Sequence, residues 1–180
     1  MNQARTLKVS DRIQLRRPII TDLKKRFDYG SPFEFRVMSG GSKKPKTFTT
    51  EHAMNFYYRL MYSTFGWVID YDKRMIGIAR LNDVGRAGDL RYSVGIFDET
   101  LLGKGIGTLV TKAVVDFAFN VVDVDSVSLM VLDINKRGIR CYEKSGFKSY
   151  LVLKDHHEVD GESFDDIIMV QKNPNKKDIL

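Results

Sequence analysis

A run of closely spaced glycines in Leu101–Gly107 carries more chemical information than any other segment of the sequence. The run follows an apolar segment typical of a β-strand and precedes apolar residues at helical spacing. Glycines at such a junction leave backbone N–H groups unpaired and bring the positive end of a helix dipole close to a ligand. The segment therefore favours binding of phosphate oxygens.

Two common phosphate-binding loops do not fit this spacing. A Walker loop reads GxxxxGK followed by Ser or Thr, whereas here Lys104 precedes the last two glycines. The dinucleotide fingerprint GxGxxG does not match the spacing of Gly103, Gly105 and Gly107, and the preceding strand closes a meander instead of opening a βαβ unit. A nucleoside triphosphatase and a dinucleotide-binding enzyme are therefore both disfavoured.

A second segment of interest has Asn135 seven residues before Tyr142, with Gly146 and Phe147 shortly after. Considered alone, Asn135 is typical of a helix N-cap and Tyr142 of a half-buried helix residue. Together with the glycine run, the segment resembles the paired signatures of the GCN5-related N-acetyltransferases. The similarity extends over residues 12–171 and is greatest to the branch that acetylates ribosomal-protein N-termini, polyamines and related amines.

The resemblance implies an α/β fold whose mixed, mostly antiparallel central sheet has helices on both faces and a splay between the fourth and fifth strands. It also implies one acetyl-CoA-binding domain over residues 12–171, between polar terminal segments 1–11 and 172–180. Acetyl-CoA would be the acetyl donor. Leu102 stands where the family usually has Gln or Arg; because the loop contributes mainly backbone N–H groups, we expect weakened rather than lost binding.

The splayed strand edges would hydrogen-bond the pantetheine amides as an added strand does, with the acetyl carbonyl beside the backbone near Ile96. Basic side chains near the glycine run and in the second segment would reach the phosphates. The residues implied in cofactor binding are Ile96, Phe97, Leu102, Gly103, Lys104, Gly105, Gly107, Thr108, Asn135, Arg137 and Arg140. We expect no metal site, since no ligand set has fitting spacing.

Tyr142 is the residue that the resemblance implies in catalysis. A phenol beside the leaving thiolate can donate a proton to it or stabilise its charge. The neighbouring Cys141 is disfavoured as a nucleophile because adjacent helix positions point about 100° apart and the family transfers acetyl directly. The general base is left open between an ordered water chain and five candidate residues: Glu34, Asp98, Glu99, His156 and His157.

The apolar spacing predicts the elements that must position these groups. They are a strand at 12–17, helices starting near Pro18 and Thr49 around a mobile glycine-containing region, a meander over 65–97, a helix at 108–119, a buried strand at 126–132, a helix at 135–144 ending at Gly146, and strands at 147–153 and 164–170. The aromatic stripe of the second helix is interpreted as core or pocket wall.

One local feature bears on the acceptor. Residues 155–166 contain no Lys or Arg. They contain six acids, which are Asp155, Glu158, Asp160, Glu162, Asp165 and Asp166. A patch of this kind attracts a cationic amine such as a polyamine, an aminoglycoside or a basic N-terminus. The alternative interpretation is a solvated hairpin decorated with acids.

Composition sets the remaining limits. The net charge of +6 suits nucleic acid, an anionic membrane surface or an anionic small molecule, but the lysines at 43, 44 and 46 and at 172, 176 and 177 are most simply solvated. No segment is apolar enough for a membrane span or a signal peptide, and Cys141 is the single cysteine. We therefore expect a cytoplasmic enzyme with a small-molecule or peptide amine acceptor, and neither a membrane nor a specific nucleic acid as partner.

Two other functional classes stay open at this point. One is a non-catalytic acyl-CoA-binding regulatory module, and the other is a nucleic-acid-binding domain that uses the positive charge. A homodimer is compatible with the resemblance.

Overall fold

The computed structural model describes residues 3–176. Its strands are β1 Leu7–Lys8, β2 Ile13–Arg16, β3 Phe65–Tyr71, β4 Arg74–Asp83, β5 Asp89–Ile96, β6 Ser126–Leu132, β7 Lys148–Val159 and β8 Glu162–Lys172. Its α-helices are α1 Asp22–Asp28, α2 Phe33–Met38, α3 Thr50–Met61, α4 Ile106–Phe117 and α5 Lys136–Lys144. A 3₁₀ turn at Glu99–Leu101 precedes the glycine run, and a π turn at Ala118–Val122 extends α4.

The strands form one eight-stranded sheet in the order β1-β2-β3-β4-β5-β6-β8-β7. Every neighbouring pair is antiparallel except β5 and β6, which run parallel. That parallel pairing covers only Asp89–Arg91 against Ser126–Ser128, after which the two strands separate. The predicted splay between the fourth and fifth strands is therefore confirmed, with the extra strand β1 making them β5 and β6 here.

Helices cover both faces of the sheet, as predicted. On one face, α4 and α5 pack on the larger core, which contains Val110 and Val114 and in which the Phe117 ring packs edge-on against the buried Trp67 ring. On the other face, α3 and α2 pack on a smaller cluster that contains Leu60 and Phe97. Because strand residues alternate between faces, β3 and β4 contribute side chains to both clusters, whereas the apolar side chains of β5 belong to the larger one.

The meander, the two helices after it and the final hairpin form in the predicted order, but the hairpin strands are longer than predicted, since β7 continues to Val159 and β8 begins at Glu162. Thr49 caps α3 by accepting a hydrogen bond from the backbone N–H of His52, and the His52 ring bonds back to Thr49. Gly146 has the left-handed φ expected after α5, at +101°. Within the region predicted as mobile, residues 33–38 instead form α2, in whose first turn the backbone N–H of Glu34 donates to the Glu99 carboxylate at 2.8 Å.

The segment before residue 12, predicted to be a polar terminal segment, contributes to the fold. Leu7–Lys8 add the edge strand β1, Ala4 is buried, and the Trp67 indole N–H donates to the Arg5 carbonyl at 2.7 Å. At the other end, Asn173 is buried and its side-chain N–H donates to the Val124 carbonyl. Lys177 and the residues after it lie outside the described residues.

A buried ion-pair network fixes α1 against the sheet. The Arg16 guanidinium bonds Asp22 at 2.7 Å and Asp70 at 2.6 Å, and Asp22 also accepts from the backbone N–H of Ile19. Burial alone would raise the pKa of Asp22, but the hydrogen bonds from Arg16 and Ile19 lower it. The first helix thus depends on charged contacts. No helix within residues 3–176 is long and apolar enough to cross a membrane.

Candidate functional site

One large cleft of about 1010 Å³ opens where β5 and β6 separate. Its walls come from α2, α3, β4 and β5 on one side, and from the glycine run, α4, β6 and α5 on the other. The opening exposes backbone groups of β5 beyond Arg91 that pairing with β6 would otherwise cover. The cleft is therefore lined by free strand edge as well as by side chains.

At one end of the cleft, the glycine run leads into α4. Gly105 is the N-cap residue of that 12-residue helix and has a left-handed φ of +79°, which glycine adopts at little cost because it has no Cβ. A Cβ placed at Gly103 or Gly105 would meet no described atom within 4 Å, so the space in front of the helix N-terminus is open. The geometry expected of a phosphate-binding loop is thus present.

Asn135 begins α5 on the opposite wall and lines the cleft. Its side-chain oxygen accepts from the backbone N–H of Gly138 at 2.8 Å, so it is the N-cap of the helix. A Cβ on Gly138 would overlap that side chain, which explains the glycine at this position. The capping interpretation of Asn135 is confirmed, and its place on the cleft wall leaves the cofactor contact open as a prediction.

Tyr142 lies on α5 with 9% of its surface exposed and lines the cleft between the glycine run and β5. Its ring packs edge-on against Tyr92 and Phe147. Burial, with a smaller contribution from Cys141, raises the pKa of Tyr142 well above that of an ordinary phenol. The hydroxyl is therefore protonated at neutral pH and is a hydrogen-bond donor.

Cys141 also lines the cleft but is engaged differently. Its sulfur accepts from the Thr108 hydroxyl at 3.5 Å and lies 3.9 Å from the Thr111 hydroxyl. The thiol thus contacts the first turns of α4, where it fills space beside Gly107.

The cleft brings together ten of the twelve predicted site residues, which are Tyr142, Ile96, Leu102, Gly103, Gly105, Gly107, Thr108, Asn135, Arg137 and Arg140. The other two lie elsewhere. The Phe97 ring is buried in the smaller core cluster and its backbone N–H already donates to the Ile76 carbonyl at 2.7 Å, so neither faces the cleft. Lys104 is exposed at the surface of the loop, outside the cleft lining.

Two of the five candidate bases line the cleft. Glu34 is ion-paired at 2.9 Å with Arg137 across the cleft, and the His157 ring nitrogen Nε2 lies 2.8 Å from the Gly40 carbonyl. Since a carbonyl only accepts, Nε2 carries the proton and Nδ1 is the unprotonated nitrogen of a neutral His157 ring.

The other three candidate bases are held by contacts elsewhere. Asp98 pairs with Arg74, Glu99 caps α2, and His156 pairs with the buried Asp166. None of the three is among the residues that line the cleft.

The far end of the cleft is rich in aromatic and basic side chains. Phe56 and Arg59 come from α3, Phe35 from α2, and Arg80 and Ser93 from the adjacent strands β4 and β5. The Phe35 ring lies directly on β5, where a Cβ on Gly95 would come within 2.3 Å of it. Only glycine at that position permits this approach.

Arg26 lies behind this end of the cleft and is 3% exposed. Its guanidinium carbon is 4.0 Å from the ring centroid of Phe48 and 4.6 to 5.9 Å from those of Phe97, Phe56 and Phe35. Burial lowers the pKa of Arg26 to about 10, which still leaves the guanidinium charged at neutral pH. The charge lies against these rings and donates to the Gly30 carbonyl at 2.7 Å.

The acidic hairpin of β7 and β8 is largely neutralised by neighbours. Asp160 accepts from the Ser42 hydroxyl and the Lys43 N–H, both at 2.8 Å, and Glu162 pairs with the Lys43 ammonium at 2.6 Å. Together with the His157 contact to Gly40, these bonds form a clasp between the hairpin and residues 40–43. Asp165 and Asp166 are also paired, with Lys154 and His156.

Sequence reasoning missed Arg59, Arg80 and Ser93 as members of the site. The signal available was a charged residue inside the apolar strand segment that ends at Leu81. Within residues 3–176, no group of three or more His, Cys, Asp and Glu side chains is placed to hold a metal ion.

Comparison with known proteins connects this cleft to a family. Residues 12–148 match the model of the acetyltransferase (GNAT) domain. An uncharacterized N-acetyltransferase, MJ1530 of Methanocaldococcus jannaschii, is 30% identical over 118 residues, which span 65% of this chain and 72% of the relative.

Two solved structures share the fold at lower identity. The spermidine N-acetyltransferase from Vibrio cholerae in complex with CoA and spermine superposes with a TM-score of 0.76 and 17% identity, over 91% of this chain and 97% of that one. The Microcin C7 self immunity acetyltransferase MccE, in complex with acetyl-CoA and AMP, superposes with a TM-score of 0.79 and 16% identity, over 92% of this chain and 95% of that one. With the glycine run at the N-terminus of α4, the splayed strands and the matched family model all in agreement, this chain belongs to the GNAT acetyltransferase family.

Proposed function

We propose that this N-acetyltransferase transfers the acetyl group of acetyl-CoA directly to a primary amine held in the same cleft. The observation that supports this most strongly is the continuity of the cleft from the glycine run, past Tyr142, to the aromatic and basic end formed by α3 and β4. A donor and an acceptor can therefore occupy the cleft together. This arrangement suits a ternary complex.

The donor end fits acetyl-CoA in shape and polarity. The open space before Gly103 and Gly105 and the dipole of α4 suit a pyrophosphate. The unpaired edge of β5 from Tyr92 to Ile96 suits the amides of an extended pantetheine arm. Arg140 on α5 lines the same end and supplies a positive charge. When bound, acetyl-CoA supplies an activated thioester.

Tyr142 is proposed to stabilise the sulfur as it leaves. Its hydroxyl stays protonated because burial raises its pKa. A thiol has an ordinary pKa of about 8.5 and a phenol one of about 10. A hydrogen bond from Tyr142 to the thiolate is therefore favoured over complete proton transfer. Such preorganised donors stabilise charge most effectively where it develops in the transition state.

Direct transfer is favoured over an acetyl-cysteine route. The Cys141 thiol accepts from Thr108 and packs against α4 beside Gly107, and neither contact is to a base that could ionise it. Activation of the amine requires loss of its proton, for which the cleft offers Glu34 and His157.

The acceptor's identity depends on side chains particular to this chain. The two solved relatives hold a polycation in one case and a nucleotide in the other, so the fold does not fix the acceptor's charge. The acidic hairpin suggested a polyamine, an aminoglycoside-like amine or a protein N-terminus. In the structure, most of its carboxylates are engaged in the clasp or in other pairs.

Thiol release from acetyl-CoA, measured across a panel of primary amines, tests the proposal. We expect amine-dependent release with at least one member of the panel, and a matching N-acetyl product by mass spectrometry. Tight CoA binding without release on any amine would instead support the non-catalytic acyl-CoA-binding module.

A further inference from the structure

The acceptor end of the cleft contains an arginine pair, Arg59 and Arg80, that no carboxylate neutralises in the described part of the chain. Arg59 projects from α3 and is exposed, while Arg80 in β4 is half-buried and its Nε donates to the Ser93 hydroxyl at 3.2 Å. Both line the cleft. Burial and the nearby charge of Arg59 both lower the pKa of Arg80, and such mutual repulsion is relieved when an anion binds between the two charges.

The carboxylates that line the cleft are ion-paired with residues other than Arg59 and Arg80. Among the residues that line the cleft, the carboxylates are those of Glu34, which pairs with Arg137, and Asp166, which pairs with His156. Arg26 adds a third positive charge behind the aromatic wall. The acceptor end therefore carries a net positive charge when it is empty.

The position of the arginine pair separates it from the donor's phosphates. Ala79 and Leu81, on either side of Arg80, belong to the core under α4, whereas Ile78 belongs to the cluster under α3. Since strand side chains alternate, Arg80 lies on the α3 face, opposite the helix whose N-terminus carries the glycine run. The arginine pair and the phosphate-binding loop thus serve different ends of the cleft.

From these contacts we infer that the acceptor is an amine that also carries an anionic group, a carboxylate or a phosphate, held by Arg59 and Arg80. This inference rests on the proposed function, because it names the substrate class of the same site. Arginine forms paired hydrogen bonds with both kinds of anion. Ser93 and Ile96 are three residues apart on β5, roughly 10 Å along the strand, so the anion and the reacting amine are separated by several bonds.

The first test compares amines that differ only in the anion. Acetylation of 6-aminohexanoate and of 3-aminopropyl phosphate is compared with that of their neutral counterparts, 6-aminohexanamide and 3-aminopropanol, and with spermidine. We expect a KM at least about tenfold lower for an anionic amine than for its neutral counterpart, as charge-assisted pairing predicts. Because the two anionic amines also differ in length, each is compared with its own neutral counterpart, and the larger KM ratio identifies the preferred anion.

Variants then assign the effect to the arginine pair. Arg59→Gln and Arg80→Gln should each raise KM for the preferred anionic amine about tenfold, with less than a twofold change for its neutral counterpart. Arg80→Lys should recover part of the loss. The control is Arg91→Gln, an exposed arginine on β5 outside the cleft lining, which removes the same charge. Equal effects on anionic and neutral amines, weakened acetyl-CoA binding in Arg80→Gln, or a wild-type preference for spermidine would overturn the inference.

A binding measurement separates this inference from the proposed function. Calorimetry with 6-acetamidohexanoate, N-acetyl-3-aminopropyl phosphate and their neutral counterparts requires no turnover. If no amine is acetylated but binding of an anionic analogue depends on Arg80, the anion subsite stands and the proposed acetyl transfer fails. If amines are acetylated and the analogues bind wild type and Arg80→Gln equally, acetyl transfer stands and the anion subsite fails.

Discussion

The two ends of the cleft are built in different ways. The phosphate-binding part of the donor end is a contiguous stretch, Leu102–Gly107, that presents backbone N–H groups and a helix dipole. The acceptor end is assembled from side chains of α2, α3, β4, β5 and the final hairpin, which are remote in sequence. Backbone groups are common to every residue, so a donor site needs only the right local conformation. An acceptor site needs particular side chains to meet, and its specificity follows from the tertiary fold.

The largest expected effect comes from a charge at the donor end. Gly105→Asp places a carboxylate where the pyrophosphate is expected and should weaken acetyl-CoA binding by at least about 1000-fold, because at least two charge-assisted hydrogen bonds of about 1.5–3 kcal/mol each are replaced by repulsion. Calorimetry measures this. The substitution also strains the backbone at a φ of +79°, although four aspartates of this chain, Asp72, Asp123, Asp155 and Asp160, adopt positive φ.

Gly85→Asp is the matched control for that substitution. Gly85 has nearly the same φ, +76°, and also open space around it, but it lies in the turn between β4 and β5 outside the cleft lining. We expect its acetyl-CoA affinity to equal that of the wild type. An unchanged acetyl-CoA affinity in a folded Gly105→Asp protein would show that the glycine run does not bind the pyrophosphate.

The junction between the two ends is tested at Tyr142. Tyr142→Phe removes only the hydroxyl and should lower kcat by roughly 10²–10³-fold, as loss of a preorganised donor does, with acetyl-CoA affinity unchanged. Steady-state kinetics and calorimetry together separate the two quantities. Tyr29→Phe is the control, since that hydroxyl donates to the Met75 carbonyl away from the cleft. Wild-type turnover in Tyr142→Phe would assign the donor role to another group or to water.

A third prediction concerns the ion pairs behind the acceptor end. Asp22→Asn leaves Arg16 with one of its two buried partners and should lower the free energy of unfolding by about 3 kcal/mol, measured by urea denaturation at neutral pH. Asp28→Asn on the same helix breaks only an exposed pair with Lys24 and should cost under about 0.5 kcal/mol. Similar losses in both variants would contradict the assigned role of the buried network.

The same network predicts a pH dependence with a definite sign. The folded-state pKa of Asp22 lies below its ordinary value of 3.8, so its contribution is complete only well above that ordinary value and is lost as the pH falls through the folded pKa. In Asp22→Asn this part of the acid destabilisation should be missing. Hydrogen exchange should show α1 opening in acid before α4, whose contacts are apolar.

The smallest effect is expected from the clasp. Asp160→Asn with Glu162→Gln frees residues 40–43 and should raise the acceptor KM a few-fold for every amine, with acetyl-CoA affinity unchanged. Glu158→Gln is the control because Glu158 is an exposed hairpin acid outside the clasp. Electrostatic steering of cations makes a different prediction: Glu158→Gln would raise KM as well, only for cationic amines, and the effect would fade with salt.

The sequence by itself determined most of the fold and the donor end. Apolar periodicity located the meander, α4, α5 and the final hairpin because the burial of one face is a local pattern. The glycine run and the Asn135 cap could be recognised in the sequence because a helix N-terminus is built by residues adjacent in sequence. The helix α2 was missed, since its capping carboxylate comes from Glu99, far along the chain.

The tertiary structure alone decided which charges at the acceptor end remain free. In the sequence, the hairpin is a block of six acids and Arg80 is one cation in an apolar strand. Folding brings Lys43 to the hairpin, more than a hundred residues away in sequence. It also places Arg80 near Arg59, and within the described residues no carboxylate forms an ion pair with either arginine. A charge acts on a ligand only where no neighbour neutralises it, and those neighbours are set by the packing of distant elements.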